Sequence, residues 1–368
     1  MRIIISGGGT GGHVYPAIAI ADAIKKIAPD AEILFVGARG KLEMEKVPKA
    51  GYPIEGLWVS GFQRKLTWRN LLFPLKLIGS WWQARQIVRR FRPDVAVGVG
   101  GYASGPTLNV ATRMGIPAVL QEQNSFPGIT NKLLAKRADK ICVAYKGMER
   151  FFPKEKIVLT GNPVRSETFQ QLDEKREEAL NYFSLARGKK TIFVFGGSLG
   201  ARTINEAMAA SSQLIAENEN VQVLWQVGKL YLETFQSCGT AKLPNVRVQP
   251  FIDRMDLAYA AADIIIGRAG ALTISELCLV GKPAILAPSP NVAEDHQTKN
   301  ALALVEKDAA LLVKDANAKE EMVWTALEVL KNEALARRLG ENIRKLALPD
   351  AAIMIAQEVL KLSNKTWT

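Results

Sequence analysis

The chain has 368 residues, 48% of them apolar and 23% charged, a composition that excludes a disordered basic tail and a collagen-like repeat. At about 100–200 residues per domain the length fits two domains, each able to bury its own core. Its 48 Lys and Arg against 36 Asp and Glu leave a net charge of +12, which points to a phosphate-bearing partner: nucleic acid, anionic lipid or a charged small molecule.

Taken in chain order, short apolar runs of strand length alternate with stretches of helical period, the pattern of βα units around parallel sheets. In the first half, 2–5, 33–36, 95–99, 118–120, 140–143 and 157–159 read as strands, with helices at 16–28 and 128–136 between them. A polar, charge-dense stretch at 167–190 follows Gly161-Asn162-Pro163 and marks the linker and the entry to the second domain. Strands restart at 191–195 and continue at 222–226, 246–249, 264–266, 284–286 and 310–313. The last fifty residues read as helical. The expected fold class is α/β, with two Rossmann-like doubly wound parallel-sheet domains, at 1–163 and 164–349, and a terminal helix at 350–363 returning to the first.

The charge is not shared between these halves. Residues 1–163 hold 24 Lys and Arg against 11 Asp and Glu, a balance of +13, whereas residues 164–368 hold 24 against 25, a balance of −1. The three cysteines, Cys142, Cys238 and Cys278, are odd in number and widely spaced, so neither a disulfide framework nor a zinc site is expected, and a reducing cytoplasm fits best. No apolar run approaches the roughly 18–20 residues that span a bilayer, and the first residues lead straight into a strand rather than a signal peptide.

Gly7, Gly9 and Gly12 satisfy G-x-G-x-x-G between a strand and a helix, where glycine permits close backbone approach and the helix N-terminus attracts an anion. Three further glycine loops follow strands, at 98–106, 196–201 and 267–273. None carries the Gly-Lys-Ser or Gly-Lys-Thr of a phosphate-binding NTPase loop. Gly37-Ala38-Arg39, after the second strand, is compatible with reading an NADP phosphate, so an NADP-dependent oxidoreductase stays open as the alternative, although it leaves the second glycine-loop domain unexplained. A non-catalytic nucleotide-sugar-binding protein is a third reading. Of the two histidines, His13 follows the first loop directly and His296 lies in Glu294-Asp295-His296-Gln297.

The succession Gly-Gly-Thr-Gly-Gly-His at 8–13, Gly-Gly-Tyr-Ala-Ser-Gly-Pro at 100–106, Gln-Glu-Gln-Asn at 121–124, Gly-Asn-Pro-Val-Arg at 161–165, Gly-Gly-Ser-Leu-Gly-Ala at 196–201, Arg-Ala-Gly-Ala-Leu-Thr-Ile-Ser-Glu at 268–276 and Asp-His-Gln at 295–297 resembles the MurG family of peptidoglycan N-acetylglucosaminyltransferases. The resemblance implies a GT-B fold whose C-terminal domain holds UDP-N-acetylglucosamine and whose N-terminal domain holds the acceptor, with a cleft between them. It implies transfer of N-acetylglucosamine, with inversion, to the muramic acid 4-hydroxyl of lipid I, giving lipid II.

Residue by residue, the resemblance gives Glu276 the two ribose hydroxyls. It gives Ala271, Leu272 and Thr273, with the adjoining Ile274 and Ser275, to the donor and its diphosphate. Ser198 and Arg165 would also meet the diphosphate or nucleotide, and the main chain of Ile252 the uracil edge. Thr10, Gly11, Gly12, Asn124 and Gln297 would contact the sugar, and Gly100, Gly101, Tyr102, Ser104 and Gly105 the acceptor. His13 is the candidate general base, because an imidazole titrates near working pH. The sequence contains no Asp-x-Asp motif, and neither a catalytic metal nor a cofactor is expected.

Residues 64–92 carry eight basic side chains and no acidic one, together with Trp68, Leu72, Phe73, Leu75, Ile78, Trp81 and Trp82. A basic segment interleaved with Trp and Leu reads as an interfacial surface drawn to anionic lipid. The expected location is therefore the cytoplasmic face of the bacterial cell membrane, peripherally bound. Nucleic acid is not expected, since no recognised binding motif is present.

Overall fold

The computed structural model describes residues 1–59, 73–292 and 295–363; within it the side chains of residues 73–75 and 77 lie outside the description. The chain forms two compact units, residues 1–165 with 348–368 and residues 166–347.

The first unit runs β1 (Arg2–Ser6), α1 (Gly11–Ile27), β2 (Glu32–Ala38), α2 (Glu43–Lys49), β3 (Ile54–Leu57), α3 (Phe73–Phe91), β4 (Val95–Gly98), α4 (Ser104–Arg113), β5 (Ala118–Glu122), α5 (Ile129–Leu134), β6 (Lys140–Val143) and β7 (Ile157–Leu159). The second runs α6 (Arg176–Tyr182), β8 (Lys190–Phe195), α7 (Arg202–Ala210), α8 (Ser212–Ala216), β9 (Val221–Gln226), α9 (Leu232–Phe235), β10 (Val246–Gln249), α10 (Met255–Ala261), β11 (Ile264–Gly267), α11 (Ala271–Val280), β12 (Ala284–Leu286), α12 (His296–Val305), β13 (Leu311–Leu312), α13 (Ala318–Lys331) and α14 (Glu333–Arg344). The last helix, α15 (Ala351–Ser363), belongs to the first unit.

Both sheets are parallel throughout, in the orders β3-β2-β1-β4-β5-β6-β7 and β10-β9-β8-β11-β12-β13. A parallel sheet is covered on both faces, which is why its strands are continuous apolar runs rather than alternating ones. Ile3 and Ile5 enter one core with α1 and α15, while Ile4 enters another with α3 and α4. In the second unit Ile265 packs with α10 and α11, and Ile264 and Ile266 with α7 and α13. The final helix buries Ile355, Ala356, Val359 and Leu362 in the core that holds α1.

Two elements differ from the sequence reading. Helix α1 starts at Gly11, five residues before the expected 16, because the glycine-rich run is itself the first turn of the helix. Strand β3 was not expected at all. It is an edge strand in which Glu55 and Gly56 interrupt the apolar signal, and its register is supplied by pairing with β2.

Each sheet reverses direction of growth between its first strand and its fourth, β1 and β4 in one and β8 and β11 in the other. Open α/β sheets bind ligands at this switch point, beyond the carboxyl ends of the strands. The four glycine loops are the four segments that follow these four strands.

Candidate functional site

In the first unit the loops after β1 and β4 are packed on each other. A Cβ on Gly101 would come within 2.2 Å of the Gly8 carbonyl oxygen, so only glycine allows this approach. The first loop is also occupied from within. Glu43, at the start of α2 and 1% exposed, accepts hydrogen bonds from the Gly9 N–H at 2.8 Å and the Ala38 N–H at 2.9 Å. A dinucleotide-binding loop offers such amides to a pyrophosphate, whereas here a buried carboxylate of the protein takes them. Arg39, the residue that kept an NADP site open, donates to the Gly56 carbonyl at 2.9 Å.

Thr10 is the N-cap of α1, yet its side chain makes no capping bond, and the N–H groups of Gly11 and Gly12 stand ahead of the first backbone bonds of the helix, His13 and Val14 N–H to Thr10 C=O, both at 3.1 Å. Instead the Thr10 hydroxyl lies 3.3 Å from His13 Nδ1. With the ring proton on Nδ1, Nε2 carries the lone pair; this edge of the ring lies against Gly100, where a Cβ would sit 3.0 Å from Nε2. Tyr102 is half exposed, and Gly105 stands at the start of α4. The Ser104 hydroxyl is buried beside Gly98, with no hydrogen-bond partner.

Asn124 is set by Glu122 at the end of β5. One Glu122 oxygen accepts the Asn124 N–H at 3.0 Å and its side-chain amide at 3.3 Å, and the other accepts Gly128 N–H at 3.1 Å and Asn131 Nδ2 at 2.9 Å. Burial raises the Glu122 carboxyl above the usual range, and these four donors oppose the rise. Arg165 extends from the same unit and pairs with Asp22 at 2.8 Å, largely exposed.

In the second unit the loop after β8 leaves Ser198 exposed and nests against the segment after β9, where a Cβ on Gly200 would lie 2.1 Å from the Val227 carbonyl. Gln226 ties this corner together, donating to the Gly197 carbonyl at 2.9 Å and accepting the Ile252 N–H at 3.2 Å. The Ile252 side chain is core, and its N–H is engaged by Gln226, which leaves its carbonyl as the main-chain group able to read a base. The loop after β11 ends at Gly270, an extended N-cap without a side-chain cap. The first recorded intrahelical bond of α11 is Ile274 N–H to Gly270 C=O at 2.9 Å, so the N–H groups of Leu272 and Thr273 precede it. The Ile274 side chain is buried at 3% exposure and its N–H is in the helix, and the Ser275 hydroxyl donates to the Ala271 carbonyl at 3.1 Å.

Glu276 keeps partial exposure as a residue, but its carboxyl is enclosed, and burial pushes it up to about 7 from an ordinary 4.5. The Tyr259 hydroxyl donates to one of its oxygens at 3.0 Å. Gln297, in α12, accepts the Ser289 N–H at 2.8 Å, pinning the loop beyond β12. Arg268 donates to the Ala287 carbonyl at 2.8 Å and pairs with Asp315, which also accepts from Thr203 at 3.0 Å. Among the described residues no cluster of three His, Cys, Asp or Glu could hold a metal ion.

Helix α3 buries Ser80, Ala84, Ile87 and Val88 and turns Ile78, Trp81 and Trp82 outward, the last at 63% exposure. Lys76 lies 5.9 Å from the centre of the Trp58 ring, and Arg113 5.9 Å from that of Trp81. Trp68 and Leu72 lie outside the described residues, as do the side chains of Phe73 and Leu75. No described helix is long and apolar enough to cross a membrane.

Glu43, Glu122, Gln226 and Tyr259 were not singled out by sequence reasoning. Glu122 alone had a local signal, since it sits in the Gln-Glu-Gln-Asn run ending a strand. Apart from the Ala38 N–H five residues before Glu43, the others meet their partners 17 to 34 positions away.

Residues 3–143 match the Glycosyltransferase family 28 N-terminal domain and residues 191–361 the Glycosyltransferase family 28 C-terminal domain. The UDP-N-acetylglucosamine–N-acetylmuramyl-(pentapeptide) pyrophosphoryl-undecaprenol N-acetylglucosamine transferase of Bacteroides fragilis is 57% identical, over 100% of this chain and 97% of its own. That of Cytophaga hutchinsonii is 56% identical, over 99% and 97%. Among solved structures, Acinetobacter baumannii MurG superposes with a TM-score of 0.78 at 28% identity, over 98% of this chain and 99% of that one. A Neisseria meningitidis UDP-GlcNAc 2-epimerase shares the fold alone, with a TM-score of 0.71 at 12% identity over 98% and 100%. The two parallel-sheet units are those of a GT-B glycosyltransferase, and the chain belongs to glycosyltransferase family 28 and, within it, to the MurG family.

Proposed function

We propose that this protein is the transferase its family is named for, moving N-acetylglucosamine from its UDP donor to the 4-hydroxyl of the muramic acid in undecaprenyl-pyrophosphoryl-N-acetylmuramyl-pentapeptide. Full-length identity to the named transferases supports the reaction. The observation that carries the site is the start of α11, where the Leu272 and Thr273 N–H groups precede the Ile274 N–H to Gly270 C=O bond, followed within two turns by the carboxyl of Glu276. This pairing suits a nucleoside diphosphate: amides and helix dipole for the phosphates, a carboxylate for the ribose hydroxyls. The oxidoreductase alternative lacks support, because Glu43 and Gly56 already engage the groups it needed.

In the proposed step, His13 Nε2 takes the proton of the acceptor hydroxyl as its oxygen bonds to the anomeric carbon. The bond from that carbon to the UDP oxygen breaks, and the N–H groups of Leu272 and Thr273 meet the charge on departing UDP. Ser198, Arg165, the Ile252 carbonyl, Asn124, Gln297, Thr10, Gly11 and Gly12 are assigned to the donor, and Gly100, Gly101, Tyr102 and Gly105 to the acceptor. The outward Ile78, Trp81 and Trp82, with Arg85 and Arg89 on the same exposed side, suit a peripheral contact with anionic lipid at the cytoplasmic face.

The test is sugar transfer to the lipid acceptor in vesicles with and without anionic lipid. Transfer from UDP-N-acetylglucosamine is expected, faster on anionic vesicles and reduced by salt or by Trp81→Glu. Binding of NADPH without UDP would overturn the reading, and indifference to lipid charge and to Trp81→Glu would remove the membrane face.

A further inference from the structure

Tyr259 is held at both ends by the α11 segment. Its hydroxyl donates to Glu276 Oε2 at 3.0 Å. Its backbone carbonyl accepts from Lys282 Nζ at 2.8 Å, and the same ammonium donates to the carbonyls of Ala260 at 3.0 Å and Ala262 at 2.7 Å. All three ammonium protons are thus spent on the C-terminal end of α10, where carbonyls lack intrahelical partners and favour a cation. Arg176 adds bonds to the Ala261 carbonyl at 3.1 Å and to Asp263 at 2.9 Å. Lys282 follows α11 by two residues, so α10 and α11 are tied together twice, once through each end of the same tyrosine.

The ring cannot swing to release Glu276. Tyr259 is 0% exposed, and Phe169, Phe193 and Phe195 pack edge-on around it with ring centres 5.5, 5.6 and 6.1 Å away. Edge-to-face packing of this kind fixes ring orientation as well as burying area. A carboxylate accepts at two oxygens, and here one is committed to a rigid donor.

We propose that Tyr259 is a positioning residue for donor binding: by holding Oε2 it fixes the rotamer of Glu276 and leaves Oε1 for the ribose hydroxyls, while Lys282 holds the backbone that carries it. This rests on the assignment of Glu276 to the ribose. Burial raises the Glu276 carboxyl and the Tyr259 hydrogen bond opposes the rise; the elements packed against α11 carry further charged groups, Glu167, Lys299 and Arg344 among them. The tyrosine hydrogen bond favours the carboxylate and opposes burial, so its loss moves the titration of Glu276 upward.

The experiment compares wild type, Tyr259→Phe and Glu276→Gln, measuring KM and kcat for UDP-N-acetylglucosamine and calorimetric affinity for UDP against pH. Tyr259→Phe is expected to raise KM about three- to tenfold, the range of one ordinary hydrogen bond, with kcat within about twofold and the acid limb of UDP binding moved to higher pH. Glu276→Gln is expected to weaken UDP further and to lose that limb. In wild type labelled with 13C at tyrosine Cζ, one resonance is expected to follow the same titration, a readout that does not depend on a variant folding. Wild-type KM and an unmoved acid limb in Tyr259→Phe, or no tyrosine resonance that follows the limb, overturns the proposal while leaving a weakened Glu276→Gln in place. Wild-type affinity in Glu276→Gln instead removes the ribose assignment and this inference with it.

Discussion

The glycine loops after β1 and β8 occupy equivalent places, each after the first strand of its sheet and beside the switch point. In one, a buried Glu43 carboxylate binds the loop's own Gly9 amide and Tyr102 stacks over Gly9. In the other the neighbouring side chain is Gln226, which donates to a loop carbonyl and puts no negative charge at the site. In the first loop the carboxylate takes an amide that a dinucleotide-binding loop would offer to phosphate, whereas at the second loop Gln226 takes a carbonyl. The first loop is thus tied through Gly9 to a carboxylate of its own unit, whereas the second is tied through Gly197 to a neutral amide. The charge division runs opposite to the naive expectation, +13 in the first 163 residues and −1 in the rest. Oriented amides suffice for a diphosphate, so the proposed donor site needs no surplus of lysines and arginines.

The sharpest way to break this contrast is to ask whether the first loop does chemistry at all. If its role is to present His13, then His13→Ala is expected to lower kcat about 100-fold or more, the usual scale of general-base catalysis, with UDP affinity at the wild-type value. Turnover within about threefold of wild type at saturating substrates removes His13 as the base. The next largest effect concerns Glu43. Glu43→Ala leaves the Gly9 and Ala38 N–H groups buried without their acceptor, a cost of about 2 kcal/mol or more, read by urea unfolding and by faster hydrogen exchange at those two amides. Glu43→Gln, which keeps one acceptor oxygen, is expected to lose less. Unchanged exchange at both amides would return the first loop to the class of open anion sites.

The strand and helix succession was readable because parallel strands buried on both faces carry uninterrupted apolar runs, as at Ile3–Ile5 and Ile264–Ile266. β3 was not, since an edge strand containing Glu55 and Gly56 draws its conformation from β2 rather than from its own sequence. Within the site, local motifs located the loops and Glu276. They could not show that the Ser104 hydroxyl points into the core, that Ile274 is packed away, or that the Ile252 N–H is engaged by Gln226, because each depends on a partner brought in by the fold. Glu43 and Tyr259 were invisible for the same reason: a Glu that opens a helix and a Tyr within an apolar helix look like ordinary surface and core residues until the sheet places them beside Gly9 and Glu276.

The smallest effect separates the units by pH. Burial pushes the Glu276 carboxyl up to about 7 in the free protein, and in the proposed role it accepts the ribose hydroxyls more strongly when ionised. Those hydroxyls favour the charged form, so the complex holds its proton less tightly than the free protein does. Binding then releases a proton between the lowered value in the complex and about 7, and UDP affinity rises with pH across that window, by at most about tenfold per pH unit for one proton. The terminal phosphate of UDP ionises near pH 6 and adds a dependence of its own. Uridine, which has no phosphate, isolates the carboxyl: wild type is expected to bind it more weakly at pH 6 than at pH 8, and Glu276→Gln to bind it equally at both. A pH dependence for uridine that survives Glu276→Gln would place the titrating group elsewhere and leave the second unit's site without its ribose contact.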